Sequence, residues 1–366
     1  MNDDRPACVD QIVKEQGMLE TTNVIVETHG PVGHIRLNRP KAINALTPEM
    51  IGQIENSLNR FETDPEIGLV LITGEGERGL CAGGDIRALY EHRQENPPWG
   101  EVFFRAEYRM NAHIATYKKP YVALMDGITM GGGVGVSAHG SVRIVTERTR
   151  MAMPETGIGF FPDIGASWLL SHAPGEVGSF MGLTGESFGG ADAIYAGFAD
   201  FFIQSKHIPA LIAALTTFNK TVEISKIKEK ISIFCEEVAA PLAQHRQMID
   251  HCFAHDQVEE IIAALKAQKD EFAQKTIEVI SQKSPTSLKL TLRLLRLARE
   301  DKSLQQSLER EFAATRGILM SHDFYEGVRA AVVDKDRHPK WSPAALKDVS
   351  EAMVEQYLAY KPEKLF

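Results

Sequence analysis

The sequence has no run approaching the ~18 uninterrupted apolar residues that a membrane-spanning helix needs, so a membrane partner is not expected. It also lacks an excess of positive charge. A formal net charge of -9 argues against a nucleic-acid surface or an anionic bilayer as partner, although a local basic patch for a phosphorylated group stays compatible with it. Cysteine is scarce, with Cys8, Cys81, Cys235 and Cys252 scattered and no C-x-x-C spacing. That pattern disfavours a disulfide framework and a zinc site, predicts no metal, and fits a reducing compartment. Cys81 reads as a small buried hydrophobe. The opening Met1-Asn-Asp-Asp-Arg-Pro has neither an apolar core nor arginine richness, so no leader is expected and the predicted location is cytoplasmic. A G-x-S-x-G elbow is absent too, which disfavours an α/β-hydrolase thioesterase.

What remains is an ordinary globular balance, 43% hydrophobic and 24% charged over 366 residues, enough for one large domain with an extension or for two domains. The chain is organised around two glycine-rich passages. Tyr121 to Met125 is a short apolar run suited to a buried strand, broken at Asp126-Gly127 and followed by Gly131, Gly132 and Gly133 before a helix-compatible stretch from Val134. Upstream, Gly68 to Thr73 reads as a strand, Gly74 to Gly79 as a loop, and Cys81-Ala-Gly-Gly-Asp85 as the entry to a helix at Ile86. Adjacent glycines at a strand-to-helix passage let backbone N–H groups approach a ligand closely, and a helix beginning there would add its positive dipole end. Two such units suggest two donors converging on one oxygen, an oxyanion hole. Each loop alone could simply be a tight turn.

In chain order, Asn23–His29 and Val32–Leu37 alternate with period two around Gly30-Pro31 and predict a hairpin. Thr47 then caps a helix with Pro48 at its first position and Ile51, Ile54, Leu58 and Phe61 as its buried stripe. Val102 to Tyr117 reads as a helix, Val142 to Thr146 as a strand, and Trp168 to Ala199 as short helices broken by glycine. Between them lies a loop carrying Glu155 and Asp163 among apolar neighbours, a usual setting for catalysis. Beyond about Ile208 glycine thins out and helical stripes dominate, with a break at Pro285 and a helix over Leu304 to Ile318. The boundary falls near 205, between an α/β core over 20–205 and a mostly helical region over 206–366.

Particular stretches carry a resemblance: Leu37-Asn-Arg-Pro-Lys-Ala-Ile-Asn-Ala-Leu46, Cys81-Ala-Gly-Gly-Asp-Ile-Arg87, Asp126-Gly-Ile-Thr-Met-Gly-Gly-Gly133, Met153-Pro-Glu155 and Phe161-Pro-Asp163. With Ser284-Pro-Thr-Ser-Leu-Lys289 and His322-Asp-Phe-Tyr-Glu-Gly-Val-Arg-Ala330, they make the chain similar to the crotonase (enoyl-CoA hydratase/isomerase) superfamily over roughly residues 20–345. The resemblance implies an α/β fold, a spiral of ββα repeats with a helical C-terminal region. It implies an acyl-CoA substrate whose thioester carbonyl lies between the N–H groups of Gly84 and Gly132, with Gly83, Asp85 and Gly131 beside it. Coenzyme A is then part of the substrate and no separate cofactor is needed.

Superfamily hydratases carry a glutamate at the position of Gly135, paired with one at the position of Glu155. Glycine cannot handle protons, so concerted addition of water to a C=C bond is disfavoured here. The contexts of Glu107, Glu155 and Asp163 resemble instead the branch that hydrolyses short 3-hydroxyacyl-CoA thioesters in branched-chain amino acid degradation. That resemblance implies Glu155 as base or nucleophile, Asp163 as holder of the substrate hydroxyl or proton donor, and Glu107 in the acyl pocket. Several carboxylates around one apolar pocket should have their pKa values pushed apart. Each also has a plain structural reading. Glu155 can be a helix N-terminal carboxylate, Asp163 a turn residue after Pro162, and Glu107 part of a salt-bridged face with Arg105 and Arg109. His139 and His322 read as structural; Lys335 and Arg337 can meet CoA phosphates or simply be solvated.

A rival class is dinucleotide binding, from Gly133-Val-Gly-Val-Ser-Ala138, but Gly127 to Gly132 separate that pattern from its strand. The nearer rival is an enoyl-CoA hydratase or isomerase on the same fold, since some isomerases use one carboxylate. A homo-oligomer is compatible with the resemblance, because relatives assemble through their helical C-terminal regions.

Overall fold

Strands β1 (Val24–His29) and β2 (Val32–Leu37) form the expected hairpin, antiparallel with Val24 opposite Leu37 and His29 opposite Val32. The computed structural model describes residues 22–94, 98–361 and 363–366; Cys8 and the acidic start lie outside them. The helix Pro48–Thr63 follows as predicted, with the Thr47 side chain accepting from the Met50 N–H and Ile51, Ile54, Leu58 and Phe61 buried.

From there the chain repeats one step three times. A longer strand joins the main sheet, a three-residue strand joins a second sheet, and the chain turns into a helix. The pairs are β3 (Leu69–Gly74) with β4 (Gly79–Cys81), β5 (Tyr121–Met125) with β6 (Ile128–Met130), and β7 (Val142–Val145) with β8 (Arg150–Ala152). With β9 (Phe201–Phe202) the main sheet has the order β1-β2-β3-β5-β7-β9, and the small sheet β4-β6-β8. All pairings beyond the hairpin are parallel. This is the implied spiral of ββα turns. The small sheet went unread in the sequence because three residues are too few to display a period of two.

Alternating residues of each long strand serve two apolar layers. Val70 and Ile72 face a large cluster that runs through Phe103, Tyr108 and Phe161 to Phe312, Phe324 and Leu365. Leu69, Leu71, Val122 and Leu124 face the other way, under Leu211, Leu215, Ile227 and Ile231 from the helices Ile208–Leu215 and Ile224–Ser232. The C-terminal helix Leu304–Ile318 packs on Pro98–Ala115, and Pro285–Ala298, capped by Ser284, packs on Ala166–Ser171.

One expectation changes. The helix expected from Val134 begins two residues earlier, inside the glycine triplet, and is a single turn, Gly132–Gly135. The chain must return to β7, and Gly140 packs tightly against Tyr121 on the way. So short a helix adds little macrodipole, and any binding of negative charge there falls to the local N–H groups.

Candidate active site

The two glycine passages lie side by side. Gly83 has φ +112° and Gly131 φ +48°, ψ -122°, conformations that a side chain would strain. The first loop is pinned to Leu46, whose N–H donates to the Gly83 carbonyl at 2.8 Å and whose carbonyl accepts from Asp85 N–H at 2.8 Å. The Gly131 N–H donates to the Ala152 carbonyl at 3.3 Å. Among the described residues no acceptor takes the N–H of Gly84 or of Gly132, the first residue of its helical turn. A methyl group on Gly132 would lie 3.3 Å from the Gly84 nitrogen, so the two idle donors border one small space.

Carboxylates flank that space. A methyl on Gly132 would meet Glu107 Oε1 at 2.5 Å, and one on Gly131 would meet Glu155 Oε1 at 3.0 Å. Glu107 comes from the helix Pro98–Ala115, Glu155 opens the 3-10 turn Glu155–Ile158 after Pro154, and Asp163 precedes the helix Ala166–Ser171. All three are buried, at 2%, 7% and 5% exposure, which removes the surface reading of Glu107. Glu155 does open a helical turn, and the Asp163 carbonyl closes a turn by accepting from Ala166 N–H at 2.8 Å, so for these two burial is added to the plain reading. Glu107 Oε1 and Glu155 Oε2 have no hydrogen-bond partner. An orphaned buried oxygen costs about 1–3 kcal/mol, and that cost is relieved when a ligand supplies a donor.

Electrostatics follow from burial. Desolvation, then the neighbouring Asp163 charge, pushes Glu107 well above the ordinary carboxylate range. Glu155 rises for the same two reasons in the same order, opposed weakly by Lys283. Asp163 is pushed up to about 7 by burial, against the downward pull of a hydrogen bond from Tyr108. Among the described residues no ion pair reaches any of the three. All three carboxyls are thus raised, so the cluster keeps protons at a pH where free carboxylates have lost theirs, a setting suited to acid–base chemistry.

Arg105 and Arg109 do not pair with Glu107. Two positions away on a helix, they face elsewhere and bind carbonyls of Glu363, Lys364 and Leu365. Asp85 is occupied structurally, accepting from Ala88 N–H at 3.4 Å and pairing with Arg39 at 3.1 Å, so its contacts make it a helix cap and not a visible ligand group. Gly135 is closed off. A Cβ there would lie 2.7 Å from Asn111 Nδ2 and 3.2 Å from Ile164 Cβ, leaving no room for a glutamate. His139 is half-buried and bonded to the Ile164 carbonyl at 2.7 Å, and His322 is bonded to the Lys340 carbonyl at 3.0 Å. Lys335 and Arg337 stand on an exposed loop.

The sequence reading missed four residues. Tyr108 donates to Asp163 Oδ2 at 2.7 Å, and its oxygen lies 2.8 Å from Thr315 Oγ1. Glu311 accepts from the N–H groups of Gly165 (2.7 Å) and Ser167 (3.0 Å), closing the N-terminus of the helix after Asp163. Lys283, mostly buried, has its pKa lowered by desolvation, and the charges of Glu186 and Glu155 oppose that fall. Glu311 and Thr315 stand four apart on the buried face of the helix Leu304–Ile318, in line with the buried Ser307, and that polar stripe is their one trace in the sequence.

A family model described as enoyl-CoA hydratase/isomerase matches residues 32–358. The chain belongs to this family. Among curated relatives, the 3-hydroxyisobutyryl-CoA hydrolase, mitochondrial, of Rattus norvegicus is 41% identical over 96% of this chain and 93% of its own length. The protein of that name from Homo sapiens is 43% identical over 90% of this chain and 86% of its own. Among solved structures, a carnitinyl-CoA dehydratase from Mycobacterium thermoresistibile superposes with a TM-score of 0.89 at 44% identity, covering 94% of this chain and 98% of that one. An enoyl-CoA hydratase from Rhodobacter sphaeroides gives 0.85 at 38% identity, over 93% and 98%. Within the family, then, names of both hydrolases and hydratases attach to close relatives. Among the described residues no helix is long and apolar enough to cross a membrane.

Proposed function

We propose that this member of the family hydrolyses the thioester of a short 3-hydroxyacyl-CoA, with 3-hydroxyisobutyryl-CoA, an intermediate of valine degradation, as the first substrate to try. The observation that carries the choice is the closed space at Gly135, where Asn111 and Ile164 occupy the place of a second hydratase carboxylate. The names of the curated relatives point the same way.

In this reading the thioester oxygen sits between the N–H groups of Gly84 and Gly132, which stabilise the alkoxide formed on attack. Glu155 takes the proton of an attacking water, or attacks the carbonyl carbon itself and forms an acyl-enzyme anhydride that a water then cleaves to the free acid, regenerating the carboxylate. The new C–O bond forms, the C–S bond breaks, and the coenzyme A thiolate leaves. Asp163 holds the 3-hydroxyl or returns a proton, and Glu107 lines the acyl pocket with its unpartnered oxygen. Gly83 and Gly131 act by letting the two loops approach; Asp85 acts by capping the helix Ile86–Glu91 that follows the first loop. No cofactor is required beyond the coenzyme A of the substrate. The scattered cysteines fit a reducing compartment, and the relatives' names carry the word mitochondrial.

The competing reading, hydration of an enoyl-CoA, is favoured by the names of the two solved structures. A thiol-release assay on 3-hydroxyisobutyryl-CoA run beside crotonyl-CoA hydration separates them. Thiol release is expected; rapid hydration with no thioester cleavage would assign the chain to the hydratases.

A further inference from the structure

Behind Asp163 stands a row of hydroxyl groups that the chemistry above does not use. Asp163 Oδ2 lies 2.7 Å from the Tyr108 hydroxyl, Tyr108 lies 2.8 Å from Thr315 Oγ1, and Thr315 donates at 2.9 Å to the Glu311 carbonyl one helical turn back. Tyr108 and Thr315 are fully buried at 0% exposure. Burial first, then the neighbouring acids, pushes the Tyr108 phenol well above its ordinary value, so it stays a neutral hydroxyl with one proton to give.

One proton per hydroxyl makes the direction of this row depend on Asp163. When Asp163 carries a proton, it donates to Tyr108, Tyr108 donates to Thr315, and Thr315 donates to the carbonyl. Each of the two hydroxyls then donates once and accepts once. When Asp163 is ionised, Tyr108 turns its proton to the carboxylate. Thr315 must then either leave the carbonyl and donate to Tyr108, or face the phenol oxygen with no proton between them. Both states are reached by rotating O–H bonds, with no movement of the backbone.

We propose that Tyr108 and Thr315 form a reversible hydroxyl relay that holds the Asp163 carboxyl in place through both of its protonation states. They are positioning residues for the hydrolysis, acting through Asp163 without touching the reacting atoms. The inference rests on the reading of Asp163 as a group that meets the substrate. Other titratable groups face the same carboxyl. Glu107 comes from the helix Pro98–Ala115, Glu155 from the same loop, and Glu311 from the helix Leu304–Ile318, while Lys283 acts on Glu155. None of them is hydrogen-bonded to Asp163 Oδ2, so the relay is the contact that answers directly to its proton.

The test uses two variants that a merely structural role would not separate. Thr315→Val removes the acceptor at the end of the relay and leaves the Tyr108 proton with Asp163 alone, which stabilises the anion. Tyr108→Phe removes the donor to that anion. The Asp163 titration should therefore move down in Thr315→Val and up in Tyr108→Phe, each by about one pH unit. Thr315→Ser should restore it. It is read twice, as the matching limb of the kcat profile and as the carboxylic-acid infrared band of the ligand-free protein that Asp163→Asn removes. Shifts in the same direction, or none, overturn the relay while leaving the role of Asp163 intact. A pH limb that survives Asp163→Asn overturns that role and the relay with it.

Discussion

Gly132 meets two demands with one missing atom. Its amide must stay open beside that of Gly84, and Glu107 Oε1 already fills the place of its Cβ at 2.5 Å. Gly132→Ala should therefore displace Glu107 or the loop and lower kcat by about 10²–10³, the usual cost of one misplaced oxyanion donor, while circular dichroism stays unchanged. Activity within twofold of the parent would remove the central loop from the mechanism. The two carboxylates divide differently. Glu155→Gln should depress kcat and leave KM nearly unchanged, the signature of an interaction made only in the transition state. Asp163→Asn should hurt 3-hydroxyacyl thioesters more than the matching esters without the hydroxyl. Leaving a buried polar partner unpaired costs about 1–3 kcal/mol, so the selectivity should narrow by roughly one to two powers of ten. Equal loss on both esters would make Asp163 part of the bond-breaking chemistry alone.

At the scale of elements, the site depends on two helices far apart in sequence. Pro98–Ala115 brings Glu107 and Tyr108, and Leu304–Ile318 brings Glu311 and Thr315. The last residues strap them together. Arg109 donates to the Leu365 carbonyl at 2.8 Å, Glu309 accepts from the Leu365 and Phe366 N–H groups at 2.9 and 3.2 Å, and the Leu365 side chain is buried. Leu365→Ala should lower stability in urea by about 2–3 kcal/mol, with a larger loss of kcat than its distance from the glycine loops suggests. An unchanged urea midpoint would show that the strap carries no stability. This dependence explains what could be read in advance. The hairpin, the capped helix at Thr47 and the glycine passages are local patterns, so periodicity and turn chemistry exposed them. Glu107 looked like a partner of Arg105 and Arg109 because adjacent charges say nothing about which helix face is inward. Glu311 and Thr315 gain meaning only once a helix some 150 residues after Asp163 is folded against it. Long-range contacts of that kind leave no spacing to detect.

For the molecule as a whole, a buried cluster of acids shapes the dependence of stability on pH. Burial holds Asp163 near 7 and Glu311 near 8, against ordinary values of 3.8 and 4.5, with Glu107 and Glu155 raised as well. Between the unfolded and folded values the native state binds more protons than the unfolded chain, so stability falls as pH rises. Two histidines, His34 buried and His139 half-buried, act in the opposite sense. His34 and His139 are lowered by burial from 6.5 to about 4, so over that range the unfolded chain binds more protons and stability rises with pH. Two histidines against four acids offset the fall only in part up to about pH 6.5, above which His34 and His139 no longer oppose it. The steepest fall is therefore expected between pH 6.5 and 8. Glu311→Gln should test this, because glutamine keeps a carbonyl for Gly165 or Ser167 but has no proton to lose. One group contributes a slope of about 1.4 kcal/mol per pH unit while it titrates. The variant should be less stable than the parent at pH 5, where the acid is neutral and fully bonded, and should close or reverse that gap by pH 8. Urea midpoints measured from pH 5 to 9 would read this directly. Parallel curves for parent and variant would mean that Glu311 is already ionised at pH 5, its charge held by the amides at the N-terminus of the helix Ala166–Ser171.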